Sequence, residues 1–196
     1  MVLWRRIPRA RRTSDNKSLR ERGAALVEFA LVAPLFFFVV FGGIEFGLMF
    51  RSYLSLQDVS RNAARVAAVE RNDANADLAI LQTVQNRLDL LNGDLVRVII
   101  FEADTLASEF GDLSTQCTDP NNPTSQDNEC TVYSAMRVEE ALAPGGTSLT
   151  NGFRPDQRTE STNIGVYIEY EYQYVTGFFD TRTLTATTVQ VVELDL

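Results

Sequence analysis

Two acidic residues, Glu28 and Glu45, carry the only charges in an apolar run from Ala24 to Phe50. A carboxylate below the surface of a bilayer costs roughly 2–3 kcal/mol, so such a group usually has a positive partner. If Ala24 lies at the inner interface, Glu28 lies about 6 Å deep and Glu45 about 31 Å along the helix. We therefore interpret Glu28 as a charge that needs a cation, and Glu45 as one that reaches the outer headgroups.

A free α-amine at Ala24 would suit Glu28, because Ala24 lies one helical turn before it. That amine exists only if the chain is cut after Gly23, although the amine of a neighbouring subunit would serve equally well. In a secretory signal the small residues follow the apolar core. Here Gly23, Ala24 and Ala25 precede the apolar core. A cut at this point would remove the basic leader and keep the helix.

The distribution of charge indicates the topology. Residues 1–23 hold eight basic and two acidic side chains, whereas the rest of the chain holds 10 basic and 24 acidic ones. A basic head before an apolar run is typical of a cytoplasmic segment. We predict a basic cytoplasmic leader at 1–23, a transmembrane helix at 24–50 and an exported domain at 51–196. The acidity of that domain argues against nucleic acid as a partner.

The composition favours recognition over catalysis. The chain has no histidine, which excludes Ser-His-Asp and Cys-His arrangements, and it has no glycine-rich phosphate-binding loop. The acidic stretch 119–129 could offer oxygen ligands to calcium, but its spacing does not match an EF-hand. We expect no enzyme, no cofactor and no metal site. Cys117 and Cys130 would be expected to pair in an exported domain and to stabilise it by roughly 3 kcal/mol; the alternative is two free thiols.

Hydrophobic periodicity predicts an α+β fold. The long helix should continue to about residue 71, with the small-residue stripe Ala63, Ala64, Ala67 and Ala68 making core contacts. A second helix is expected over Asp77–Leu91, closed by Asn92-Gly93. Strands are expected over 95–101, 164–175 and 183–194, the last two forming an antiparallel hairpin.

Other segments leave alternatives open. Residues 131–138 fit either a short strand or the start of a helix that extends through Ala143. Regions 104–130 and 144–162 are surface loops, either tolerated insertions, which we favour, or binding loops. Phe178 and Phe179 at the hairpin tip are either an exposed patch or, as we prefer, buried against the long helix.

Within the apolar run, Pro34 removes a backbone hydrogen bond and can kink the helix. Gly43 and Gly47 have the spacing that lets two membrane helices approach closely. Both features also occur incidentally in membrane helices. We favour a role in helix packing for the glycine pair.

The stretch from Gly23 to Arg65, GAALVEFALVAPLFFFVVFGGIEFGLMFRSYLSLQDVSRNAAR, resembles the TadE-like family. The matching features are the Gly-Ala-Ala start, the Glu-Phe-Ala-Leu at 28–31, Pro34, the Gly-Ile-Glu-Phe-Gly at 43–47 and the residues Leu56, Gln57, Ala63, Ala64 and Arg65. These proteins are minor pilins or pseudopilins of Tad (type IVc, Flp) pilus systems.

The resemblance implies that a prepilin peptidase cuts between Gly23 and Ala24. It implies that Glu28 becomes the fifth residue of the mature chain and serves in subunit docking, and that the exported part is a pilin-like domain. The implied location is the bacterial inner membrane, and the implied partners are this peptidase, other Tad pilus subunits, inner-membrane assembly proteins and the lipid bilayer. The alternative is an uncleaved single-pass scaffold or sensor with an extracytoplasmic domain.

Overall fold

The structure is a computed structural model, and the part of the chain that it describes contains three helices and four strands. It describes residues 15–70, 73–89, 91–103, 117, 130–146, 163–177 and 179–192, with side chains from residue 23 onward. The helices are α1 (Asp15–Val69), α2 (Ala76–Leu88) and α3 (Ala135–Leu142), and the strands are β1 (Gly93–Glu102), β2 (Cys130–Ser134), β3 (Asn163–Tyr172) and β4 (Arg182–Val191). The chain divides into two compact units between Ile44 and Glu45.

Helix α1 confirms the predicted long helix, which ends at Val69. It begins at Asp15, so part of the predicted leader is helical as well. The helix continues through Pro34, although a proline removes one backbone hydrogen bond. From Gly23 onward it is long and apolar enough to cross a membrane, and the most apolar part of it has no buried residue.

The second unit contains a four-stranded antiparallel sheet with the strand order β2-β1-β3-β4. The predicted hairpin is confirmed as β3 and β4, in which Ile168 lies opposite Ala186. Both alternatives for residues 131–138 are correct in part, because β2 runs to Ser134 and α3 begins at the next residue. The chain is therefore an α+β protein, as its periodicity predicts.

Both faces of the sheet are covered by buried side chains. One face of β3 joins α1 and α2 in the main core, and the alternation along β3 is as predicted. The small-residue stripe of α1 makes the expected core contacts, since Ala63, Ala64 and Ala67 are fully buried. A smaller cluster covers the opposite face and includes Ile99, Phe101, Val132, Tyr167, Cys117 and Cys130.

The predicted end of the second helix is wrong. Helix α2 ends at Leu88, and the N–H of Asp89 donates to the carbonyl of Gln85. Gly93 instead opens β1 with a positive φ of 154°. A Cβ at Gly93 would lie 2.1 Å from the carbonyl oxygen of Glu171, so the glycine permits a close approach of two strands.

The cysteine prediction is consistent with the structure, where the sulfurs of Cys117 and Cys130 lie at disulfide distance, 2.20 Å apart. Most of the two predicted loops lies outside the described residues, as do the acidic stretch 119–129 and Phe178. Phe179 is 45% exposed and contacts the ring of Tyr174, so its expected burial against the long helix is wrong.

Candidate functional site

Glu28 lies on an exposed face of α1 among exposed apolar side chains that include Leu26, Val27 and Phe29. Among the described residues it forms no ion pair. Ala24 lies one turn earlier on the same helix and is also exposed. The helix thus brings the two predicted partners within a single turn, on a surface that is apolar apart from the carboxylate.

The two glycines of the proposed packing motif leave room on α1. A Cβ added at Gly43 would meet no atom within 4 Å, and the same holds at Gly47. The space beside each residue is therefore open to another helix. Contact between helices remains a prediction, as does a kink at Pro34.

The interpretation of Glu45 as a headgroup-facing charge is wrong. Its side chain is only 1% exposed, and its carboxylate accepts hydrogen bonds from the backbone N–H groups of Val175, at 3.2 Å, and Thr176. Strand β3 ends at Tyr172, so these two amides lie outside the sheet and need another acceptor. A buried carboxylate is a strong acceptor for two such donors.

A second contact lies one turn further along α1. The hydroxyl of Tyr174 donates to Met49 Sδ at 3.3 Å, and the ring of Tyr174 packs on Phe179 at a centroid distance of 5.3 Å. We call Glu45, Met49 and residues 174–176 the Glu45 clamp. The clamp fastens the segment after β3 to α1. The clamp could not be predicted from the spacing of residues along α1, because Val175 lies 130 residues from Glu45 in the chain.

Further polar contacts tie the helices to the sheet. Ser60 is fully buried, and its hydroxyl donates to the carbonyl of Val166 at 3.1 Å. The hydroxyl of Tyr133 donates to Asp77 at 2.6 Å. These bonds satisfy buried polar groups and are structural.

Glu169 forms an ion pair with Arg97 at 2.6 Å, and both side chains are mostly buried. Within the part of the chain that the structure describes, no three His, Cys, Asp or Glu side chains are grouped to hold a metal ion.

Several tyrosines of β3 have perturbed acidity. Burial raises the pKa of Tyr170 to about 12, and the negative charge of Asp94 adds to the shift. Burial also raises the pKa of Tyr167, with a further contribution from Glu169. Since an apolar environment disfavours the phenolate, these side chains remain protonated at neutral pH.

Residues 23–65 match the family model described as TadE-like protein. The match covers 43 of the 196 residues and includes Gly23, Ala24, Glu28, Pro34 and Glu45. No curated protein matches the chain, and no solved structure does. The family match therefore lies entirely within α1. The sheet, α2 and α3 lie outside the matched residues.

Proposed function

We propose that this chain, which is TadE-like over residues 23–65 and is thereby associated with Tad pilus systems, is a minor pilin or pseudopilin. The precursor inserts into the inner membrane through α1, with the basic leader in the cytoplasm and the α+β domain exported. The mature protein acts by recognition, in pilus assembly or adhesion, and performs no catalysis.

The observation that carries this proposal is the exposed carboxylate of Glu28 on an exposed apolar helix surface. In a bilayer this charge costs roughly 2–3 kcal/mol unless a cation lies beside it. Cleavage between Gly23 and Ala24 creates such a cation, the new α-amine, in the same subunit and in every processed neighbour. Pairing with a neighbour would neutralise both charges and draw the helices together.

The exposure and the low helix propensity of Gly23 are compatible with cleavage by a prepilin peptidase. Gly23 lies within α1 and is exposed. Glycine is a poor helix former, by about 1 kcal/mol relative to alanine, so the helix opens more easily there than at its neighbours. Local opening would present the peptide bond between Gly23 and Ala24 to the peptidase.

The size of the exported part supports minor status. A major Tad pilin, as the family implies, is a short helical peptide, whereas this chain has a sheet of four strands in its second unit. We propose that this domain contacts other Tad pilus subunits and inner-membrane assembly proteins. The proposal includes no nucleic acid, cofactor or metal.

The docking role of Glu28 is tested by Glu28→Ala and by the isosteric Glu28→Gln. Both variants should insert into the membrane as well as the wild type, because each removes a charge from an apolar helix. Both should be lost from the pilus fraction and from co-purified assembly complexes. Glu70→Gln, an exposed change just after α1, serves as the matched control.

Wild-type amounts of Glu28→Gln in the assembled fraction would contradict the docking role. Leader removal is scored separately by mass in the same samples. A defect in assembly can then be told apart from a defect in processing.

A further inference from the structure

A cleft of about 310 Å³ lies on the surface of the second unit, between α1, the end of α2 and the segment after β3. Its lining includes Arg51 and Ser55 from α1, Arg87 from α2 and Val175 from the segment after β3. This volume is at the lower end of the range for small-molecule sites. The cleft is large enough for a small polar group and its apolar attachment.

The cleft brings together two unpaired guanidinium groups. Both Arg51 and Arg87 are exposed, and among the described residues neither forms an ion pair. Among the described residues that line the cleft, Asp58 alone carries a carboxylate, and its charge is partly offset by Arg61 at 3.9 Å. Two guanidinium groups on one cleft favour an anion between them, and their planar donor arrays match phosphate oxygens.

The position of Arg51 along α1 indicates where such an anion would come from. Arg51 is the first cation after the apolar run, 27 residues beyond Ala24. That separation is about 40 Å along a helix, against a hydrocarbon core of about 30 Å and a headgroup layer beyond it. Side chains of a helix lean toward its N-terminus, so Arg51 leans back toward the headgroup layer.

The walls of the cleft are partly apolar. Leu48 is 36% exposed and Val175 is 65% exposed, and both line the cleft beside the arginines. Inorganic phosphate gains nothing from apolar walls. A phospholipid gains from them, because the carbon atoms next to its phosphate leave water when they contact such side chains.

We propose that this cleft binds the phosphate of an anionic phospholipid headgroup, with Arg51 and Arg87 as the two cations that hold it. The inference rests on the insertion of α1 into a membrane, which is part of the proposed function. The bound lipid would fix the height and rotation of the domain at the membrane surface. Fixing the domain in this way would reduce the entropy lost when the subunit enters an assembly.

The test measures the dissociation constant of the full-length protein in a neutral detergent for short-chain phosphatidylglycerol, by native mass spectrometry. Arg51→Gln and Arg87→Gln should each weaken binding about tenfold, the loss of a charge-assisted hydrogen bond. Asp58→Asn should tighten binding by up to about fivefold, because it removes a repulsive charge. Arg65→Gln, an exposed arginine of α1 outside the cleft, should leave binding unchanged.

Tighter lipid binding in Asp58→Asn, together with weaker lipid binding in Arg51→Gln and Arg87→Gln, would support the proposal. Unchanged affinity in both arginine variants, or equal weakening by Arg65→Gln, would overturn it. Inorganic phosphate is titrated as a separate arm, and binding of phosphate as tight as that of the lipid would overturn the lipid assignment. Alkaline extraction of membranes tests the insertion of α1 independently, so failure of the anchor is distinguishable from failure of the cleft.

Discussion

Two buried tyrosine hydroxyls in the main core differ in their partners. The hydroxyl of Tyr133 donates to Asp77, whereas within the described residues the hydroxyl of Tyr170 has no hydrogen-bond partner. Removal of the Tyr133 hydroxyl takes a hydrogen-bond donor away from a buried carboxylate, which lowers stability. Removal of the Tyr170 hydroxyl eliminates a buried polar group that has no hydrogen bond to lose.

We therefore predict that Tyr133→Phe lowers the free energy of unfolding by about 1.5–3 kcal/mol. The matched change Tyr170→Phe should leave it unchanged or raise it slightly at neutral pH. Urea unfolding of the two variants beside the wild type gives both values. Equal destabilisation by the two changes would contradict the difference in hydrogen bonding.

The raised pKa of Tyr170 predicts a loss of stability in alkali. Below about pH 10 the side chain is protonated in the folded and the unfolded state. As the pH rises toward 12, the unfolded state releases the proton and the folded state retains it, because burial raises the folded pKa to about 12. The unfolded state then binds fewer protons, so stability falls across this window.

Tyr170→Phe should reduce that alkaline fall by about 2 kcal/mol at pH 12, which is less than the ~2.7 kcal/mol equivalent of the full shift in pKa because folded Tyr170 is half ionised at that pH. Part of the fall should remain, because burial also raises the pKa of Tyr167 and Tyr172. The measurement is the urea midpoint as a function of pH from 9 to 12. A fall in the variant as steep as in the wild type would refute the assignment to Tyr170.

Sequence reasoning at this scale predicted the pairing of Cys117 and Cys130, which is consistent with the structure. It also singled out Glu28, a carboxylate in an apolar run, whose docking role stays a prediction. It failed to predict the burial of Glu45, which is a glutamate in the same apolar run as Glu28. The difference is a contact with residues 175 and 176, and the local sequence contains no signal for a partner so distant in the chain.

At the scale of elements, the Glu45 clamp links α1 to the segment that leads from β3 to β4. Glu45→Gln replaces one of the two accepting oxygens with an amide that itself donates, so at least one backbone N–H loses its acceptor. We predict a melting temperature lower by several degrees and amide hydrogen exchange at Val175 and Thr176 that is about tenfold faster.

Hydrogen exchange followed by mass spectrometry resolves this segment from the rest of the sheet. Glu70→Gln, the control used above, should leave exchange at residues 175 and 176 unchanged. If Glu45→Gln exchanges at the wild-type rate there, the clamp does not hold the segment.

The elements themselves were largely predictable, because periods of 3.6 and 2 residues indicate which faces are buried. Residues 131–138 were ambiguous because the strand and the helix follow each other without a break at Ser134. The end of α2 was misplaced because Gly93, a common helix stop, is required instead by the close approach of β1 to Glu171. That requirement depends on tertiary contacts.

At the scale of the whole molecule, charge is distributed unevenly along the chain. Residues 1–23 are strongly basic, α1 carries one exposed carboxylate early in its apolar surface, and the second unit is acidic and contains the sheet. Charge asymmetry and hydropathy predict a leader at 1–23, a membrane helix at 24–50 and a domain at 51–196, and these bounds stay a prediction. The arginine cleft could not be predicted, since Arg51 and Arg87 come together only when α1 and α2 pack.

The central claim is that the chain is processed so that a new amine faces Glu28. The most direct test is N-terminal sequencing and intact mass of the protein extracted from membranes, with and without a functional prepilin peptidase. We predict a mature chain that begins at Ala24, and retention of the leader when the peptidase is inactive. A membrane protein that keeps the residues before Ala24 in the presence of the active peptidase would contradict the claim and favour an uncleaved single-pass anchor.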